Sequence, residues 1–162
     1  MIRNRISSDP EDLNELNKVY PWIPNERMIR PIPEILTEKY YKTQRILGRW
    51  NSLSDYILDV DFHYPVKEEN GKYKALPPKV SEWAFTRAEF PYALPEGTTH
   101  SILWNSTHTM NDDFDDSRIN ELIEFILKDK TGIDSYDFAW YKNPHPTILN
   151  LYHVQVFWIR LV

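Results

Sequence analysis

Residues 136–162 read YDFAWYKNPHPTILNLYHVQVFWIRLV, two aromatic runs joined by a polar loop that carries Pro144 and Pro146. This stretch restricts the fold more than any other. A run as apolar as 151–161 has no stable place at a surface, so it is expected inside a sheet. The rest of the chain must then supply strands on both sides of it and a layer over each face.

The chain has 162 residues, 41% of them apolar, which is most simply one domain able to bury about two-thirds of its unfolded surface. It has no cysteine, which excludes disulfides, thiolate zinc sites and cysteine nucleophiles, and fits a reducing compartment. No apolar run approaches the roughly 20 residues of a membrane span, and residues 1–9 lack the apolar core of a signal peptide. A cytoplasmic protein without membrane attachment is expected. The net charge of −5 offers no general attraction to a phosphate backbone, so nucleic acid is not an expected partner. The aromatic content of 14%, with six Trp and ten Tyr, serves cores first and stacking platforms second.

Ser8-Asp9-Pro10 is a helix-start signal, and Leu13, Leu16 and Tyr20 follow at helical spacing, predicting a short helix over about 10–19. Pro21, Pro24, Pro31 and Pro33 break regular structure, yet Trp22, Ile23, Met28, Ile29 and Ile32 make the segment too apolar for a free linker. It should pack down as a strap. A second helix is predicted over 34–47, with Leu36, Tyr40, Thr43 and Leu47 inside and Gly48 as its C-cap. Lys39, Lys42, Arg45 and Arg49 form another stripe there, either a solvated face or an anion patch. Ser52 or Ser54 starts a third helix to about residue 59, and Asn70-Gly71 marks a turn in the polar stretch 66–79.

Beyond residue 80 the pattern shortens to strands: a weak one over 83–86 and a better one over Thr99–Asn105, with His100, Ile102 and Trp104 on one face. The stripe Ile119, Leu122, Ile123, Ile126 and Leu127 predicts a helix over 117–130, capped by Asp115 or Asp116 and ended by Gly132. Its acidic approach, residues 112–116, has no calcium-loop spacing and is explained by the cap. Strand, helix and the strand 136–142 form a crossover, so those two strands should be parallel, with the last strand returning antiparallel. The fold class is α+β: a mixed, mostly antiparallel sheet backed by one long helix, with N-terminal helices packed around it.

Histidine is the residue that can titrate, ligate or move protons near neutrality. There are five, and two begin strands, in His100-Ser101-Ile102-Leu103 and His153-Val154-Gln155-Val156. These strings superficially resemble the paired motifs of two-histidine phosphodiesterases, but Gln155 stands where a Ser or Thr is wanted. Strands of opposite direction would also put the two imidazoles at opposite ends of the sheet, roughly 15–20 Å apart. No three-histidine string, glycine-rich phosphate loop or nucleophile elbow occurs. The chain implies no metal and no cofactor. The tryptophans and tyrosines on or beside strands could instead stack a charged purine, as cap-binding folds do, or simply fill the core.

Phe90-Pro91-Tyr92, His100-Ser101-Ile102-Leu103-Trp104, Trp140-Tyr141-Lys142-Asn143 and His153-Val154-Gln155-Val156, in that order and spacing, resemble the fungal N-acetylglucosamine-induced protein family, which also occurs in large DNA viruses. The resemblance covers the whole chain. Two positions depart from the family pattern. Of an Asn and an acid before the aromatic-Pro-Tyr segment only the acid remains, as Glu89, and of two histidines flanking one residue only His153 remains. A site built on that histidine pair would lack one imidazole here. The family name implies regulation by an amino sugar, which concerns expression and not mechanism.

Polar residues at aromatic strand ends favour a pocket for a small polar metabolite, such as a sugar phosphate or nucleotide sugar. The candidate ligand contacts are Glu89, Tyr92, His100, Trp104, Trp140, Asn143 and His153. A phosphoester or glycosidic enzyme would use His100 or His153 as acid–base. A protein-interaction module would instead present an exposed aromatic surface to a protein partner.

Overall fold

The computed structural model describes residues 3–5, 11–131 and 135–161. In chain order the elements are β1 (Arg3–Arg5), α1 (Glu11–Val19), α2 (Pro33–Arg49), α3 (Leu53–Val60), β2 (Val66–Glu69) and β3 (Lys72–Ala75). There follow β4 (Trp83–Arg87), β5 (Thr99–Asn105), α4 (Asp116–Thr131), β6 (Tyr136–Tyr141) and β7 (His153–Arg160). Five strands form one sheet in the order β1-β6-β7-β5-β4, and β2 and β3 form a separate hairpin. The most apolar strand, β7, therefore takes the central place. Only β1 and β6 pair in parallel among the described strands; the other pairs are antiparallel. Both β5 and β6 run antiparallel to β7, so they are parallel to each other with β7 inserted between them. This is the expected mixed α+β architecture.

The period of two sorts side chains between two layers. Leu103, Phe138, Trp140, Val154 and Val156 point to one face, where Ile119, Ile123 and Leu127 of α4 complete the principal core. The α4 helix starts at Asp116, and the Asp115 carbonyl accepts the Ile119 N–H at 3.1 Å. The expected stop at Gly132 lies outside the described residues, as does the start at Pro10.

The opposite face is covered in two separate patches. Toward β6, Leu13 of α1 and Ile23 of the strap pack on Ala139. The strap is tied down where Thr98 Oγ1 donates to the Trp22 carbonyl at 2.7 Å. Toward β5 and β4, Ile57 and Leu58 of α3 pack with Ala75, Trp104 and Leu151. Ser52 is the N-cap of α3, accepting the Asp55 N–H at 3.1 Å, and buried Asp55 accepts the Ala75 N–H at 2.9 Å to lock the hairpin to the helix. Asn70 and Gly71 take positive φ of 53° and 81°, the geometry of a two-residue hairpin turn.

Helix α2 departs from its expected boundaries and orientation. Gly48 is inside the helix, and Trp50 is the C-cap, its N–H bonded to the Ile46 carbonyl. Trp50 bridges Tyr73 of the hairpin and its Nε1 donates to Asp59 at 2.9 Å, so the helix continues to where these contacts hold it. The expected inner stripe is also displaced: Leu36 and Tyr40 are exposed, while Ile46 is buried. The buried residue of α2, Ile46, lies in its C-terminal half, and the face that carries Leu36 and Tyr40 is turned to solvent. No helix among the described residues is long and apolar enough to cross a membrane.

Candidate functional site

Between the two patches on the second face, the middle of the sheet is left uncovered by a tightly packed layer. A cavity of about 560 Å³ opens there, floored by β5 and β7 and walled by α2, α3, the segment after β4 and the β6–β7 loop. Its size is typical of small-molecule sites. His100, Ile102 and Trp104 of β5 face it beside His153 and Gln155 of β7. The register explains this: Trp104 pairs with His153, Ile102 with Gln155 and His100 with Phe157, so all belong to one face.

His100 and His153 thus lie four residues apart along the ladder, about 13 Å along the strands. Opposite strand direction separates them along the axis, but pleat parity puts both on the same floor. Of the candidate contacts, Glu89, Tyr92, His100, Trp104, Asn143 and His153 line this cavity, whereas Trp140 does not. Trp140 points to the α4 side, where its Nε1 donates to Asn120 Oδ1 at 2.7 Å.

The two buried histidines differ in what they can offer. The Tyr92 N–H, which can only donate, lies 3.3 Å from His100 Nδ1, so that nitrogen accepts. The proton therefore sits on Nε2, which donates to Gln155 Oε1. Tyr92 and Phe157 bracket the imidazole at 4.4 and 5.2 Å between ring centroids. Burial disfavours the charged form and pushes His100 down to about 4, although the bond to Gln155 opposes the shift. Both nitrogens are engaged, so His100 has neither lone pair nor proton left for a substrate or metal. It positions Gln155.

His153 is reversed. The Leu151 carbonyl, an acceptor only, lies 2.8 Å from Nδ1, so Nδ1 carries the proton and Nε2 keeps its lone pair. Burial lowers its pKa, opposed by the Leu151 bond and reinforced by Lys142. The ring lies against Trp104, with centroids 4.5 Å apart, and Trp104 is fixed by donating to Thr86 Oγ1 at 3.2 Å. The floor therefore presents a neutral acceptor, His153 Nε2, beside the Gln155 amide nitrogen, which has no hydrogen-bond partner among the described residues.

Gln155 was absent from the sequence-derived candidates. Its signal was a polar residue in the middle of an apolar strand, two residues from His153 and so on the same face. Asn143, half-buried on the β6–β7 loop, accepts the His145 N–H at 2.9 Å through Oδ1, which leaves its amide nitrogen for the cavity. At the rim, Lys42 of α2 is ion-paired with Glu89. Among the described residues no cluster of His, Asp and Glu could hold a metal ion.

A second depression of about 530 Å³ adjoins the β6–β7 loop on the α4 side, between Phe114, Trp140 and Tyr152. Its one cation, Lys142, is already committed at 2.8 Å to both the Asp112 carbonyl and Asp113 Oδ1.

Among curated proteins none matches the chain. A solved structure described as the crystal structure of HTC1 is 16% identical, covering 94% of this chain and 83% of that one, with a TM-score of 0.46. Residues 28–158, which take in α2, α3, the cavity floor and nearly all of β7, match the family described as protein of unknown function (DUF3605), and the chain belongs to that family.

Proposed function

We propose that the cavity over β5 and β7 binds a small polar metabolite in the cytosol, an amino sugar derivative, sugar phosphate or nucleotide sugar. The observation that carries this reading is the unpartnered pair on its floor. His153 Nε2 and the Gln155 amide nitrogen are an acceptor and a donor two residues apart on one face of β7, with the His153 ring against Trp104. Polar atoms that face a cavity without a protein partner are complementary to a ligand with hydroxyl, carbonyl or amide groups. The aromatic wall suits the apolar face of a sugar ring. The resemblance to N-acetylglucosamine-induced proteins puts amino sugars first in the panel to be tried.

A thermal-shift screen of N-acetylglucosamine, its 6-phosphate, UDP-N-acetylglucosamine, nucleotides, a methylated guanine cap analogue and divalent metals tests this. A ligand at about 100 times its Kd raises stability by roughly 2.7 kcal/mol, several degrees for a chain this size. Replacing Asn143 and His153 together by Ala is expected to abolish the shift. His153→Phe keeps a ring against Trp104 and should also lose binding while remaining folded. Undiminished affinity in the folded variants would sink the site assignment.

The open lone pair on His153 favours one further reading, acid–base chemistry on the bound molecule, in which His153 accepts a proton and His100 takes no direct part. A pH–rate profile with no limb attributable to a histidine would remove it.

A further inference from the structure

We propose that Asn143, His153 and Gln155 together recognise a cyclic imide, the rigid acceptor–donor–acceptor edge carried by uracil and by xanthine. This rests on the cavity being a ligand site and adds the chemical class that its floor selects. His153 and Gln155 are alternate residues of β7, about 7 Å apart, and their β5 partners Trp104 and Ile102 share the cavity face. Tyr141 of β6 pairs with Gln155 and so lies on that face too. Lys142 turns to the other side, where it donates to the Asp112 carbonyl and to Asp113. The alternation returns Asn143 to the cavity, which it lines. Continuing the β6–β7 register by two residues sets Asn143 opposite His153, one strand spacing or about 5 Å away. The electrostatic influence of Lys142 on His153 also puts the start of this loop beside the imidazole.

Each of the three groups has its polarity fixed by a neighbour that allows one arrangement. The His145 N–H can only donate, so the Asn143 atom it meets at 2.9 Å is the oxygen, and the amide nitrogen is left over. The Leu151 carbonyl can only accept, so His153 keeps its lone pair on Nε2. The Tyr92 N–H sets the tautomer of His100, which then holds Gln155 by its oxygen. Neither amide nitrogen has a hydrogen-bond partner among the described residues. The floor therefore offers two donors flanking one acceptor, Asn143 across the sheet from His153 and Gln155 along the strand.

The complementary ligand edge reads acceptor, donor, acceptor, and none of it needs a charge. In a cyclic imide the two carbonyls diverge from the N–H between them, as the two amides flank His153 Nε2. Trp104, whose indole lies against His153, offers the ring a stacking surface. Other bases mismatch. Cytosine and adenine bring a lone pair to the central position, where it would face the lone pair of His153, and guanine puts an amino group where a carbonyl is wanted. A site built on hydrogen bonds rejects such analogues because its own polar groups are then left unpaired.

The test titrates the full chain with uridine, 3-methyluridine, cytidine and xanthosine, followed by amide-resolved NMR. Uridine is expected to shift residues 153–155 saturably and to bind roughly tenfold or more tighter than 3-methyluridine or cytidine. Saturable binding of xanthosine in its place upholds the imide edge and assigns it to a bicyclic ligand. His153→Phe should bring uridine and 3-methyluridine to equal affinity. Asn143→Asp keeps an acceptor for the His145 N–H but loses the open donor, and should weaken uridine by a similar factor. If His153→Phe fails to fold, Asn143→Asp and the ligand pairs still decide, because Asn143 is half-buried on a loop. The proposal is overturned if no imide binds saturably, if the 3-methyl group costs nothing, or if cytidine binds as tightly as uridine. Sugar phosphates that shift the floor while every imide fails would refute the imide edge and leave the cavity a ligand site. A floor that responds to no ligand would refute both.

Discussion

Replacing His100 by Leu, Gln155 by Leu, and both together probes the floor most directly. His100→Leu strands two buried groups, the Tyr92 N–H and Gln155 Oε1. Each unpaired buried polar group costs about 1–3 kcal/mol. The Tyr92 bond is long, so its loss falls at the low end, and the single change should cost about 2–5 kcal/mol. Gln155→Leu strands only the His100 Nε2–H, about 1–3 kcal/mol. The double change removes both ends of that bond and leaves one orphan, Tyr92 N–H. Its cost should fall short of the sum of the singles by about 2 kcal/mol or more. In a chain this long each kcal/mol moves Tm by about 2–4 °C, so calorimetry or urea unfolding followed by tryptophan emission resolves the cycle. Costs that add to within about 0.5 kcal/mol would refute the reasoning. His100 and Gln155 would then not be bonded in solution, and nothing would aim the Gln155 nitrogen into the cavity.

Acid should destabilise the fold through its histidines. The imidazole of His100 falls from its ordinary 6.5 to about 4 on folding, so between those values the unfolded chain binds more protons than the native one. Its contribution is complete above about pH 6.5 and is lost as pH falls toward 4, by about 3 kcal/mol at most, and His153 acts in the same direction. Melting curves from pH 7 to 4.5 should therefore fall more steeply for the wild type than for His100→Leu; parallel profiles would count against a neutral buried His100. Trp140→Phe removes the bond to Asn120 and should cost about 1–3 kcal/mol in the core while leaving affinity for any cavity ligand unchanged. A loss of binding without loss of stability in that variant would return Trp140 to the site.

What the sequence makes legible here is whatever depends on local periodicity. The stripe Ile119, Leu122, Ile123, Ile126 and Leu127 locates α4, and Asn70-Gly71 locates the hairpin, because spacing and turn chemistry act within a few residues. The central place of β7 follows from its own apolarity. The failures lie where a distant partner decides. Leu36 and Tyr40 carry a helical apolar spacing as good as any, but among the described residues no element covers that face of α2, and they are exposed. Gly48 reads as a stop, yet Trp50 is held by Tyr73 and Asp59, and those contacts set the end of the helix. The strand β1 gave no signal because three residues, Arg3–Arg5, have no measurable period.

Gln155 illustrates a different limit. Pattern matching treats it as a mismatch, a place where a hydroxyl was wanted, and only the register turns it into half of a donor–acceptor pair with His153. Its cost is also visible only in three dimensions. An apolar residue at that position would remove the unmatched amide nitrogen but leave the buried His100 Nε2–H without its acceptor. The cavity could be filled just as easily if the helices above it settled onto the sheet. They are held back by bonds that bypass the floor. Asp55 of α3 accepts from Ala75 of the hairpin, Ser54 is bonded to Asn150 of the β6–β7 loop, and Trp50 reaches Asp59. These ties fix α3 to the hairpin and to the loop rather than to the middle of β5 and β7. A fold that anchors its covering helices elsewhere, and places polar atoms on the surface so left bare, keeps that space at a cost in stability, which a bound ligand would offset.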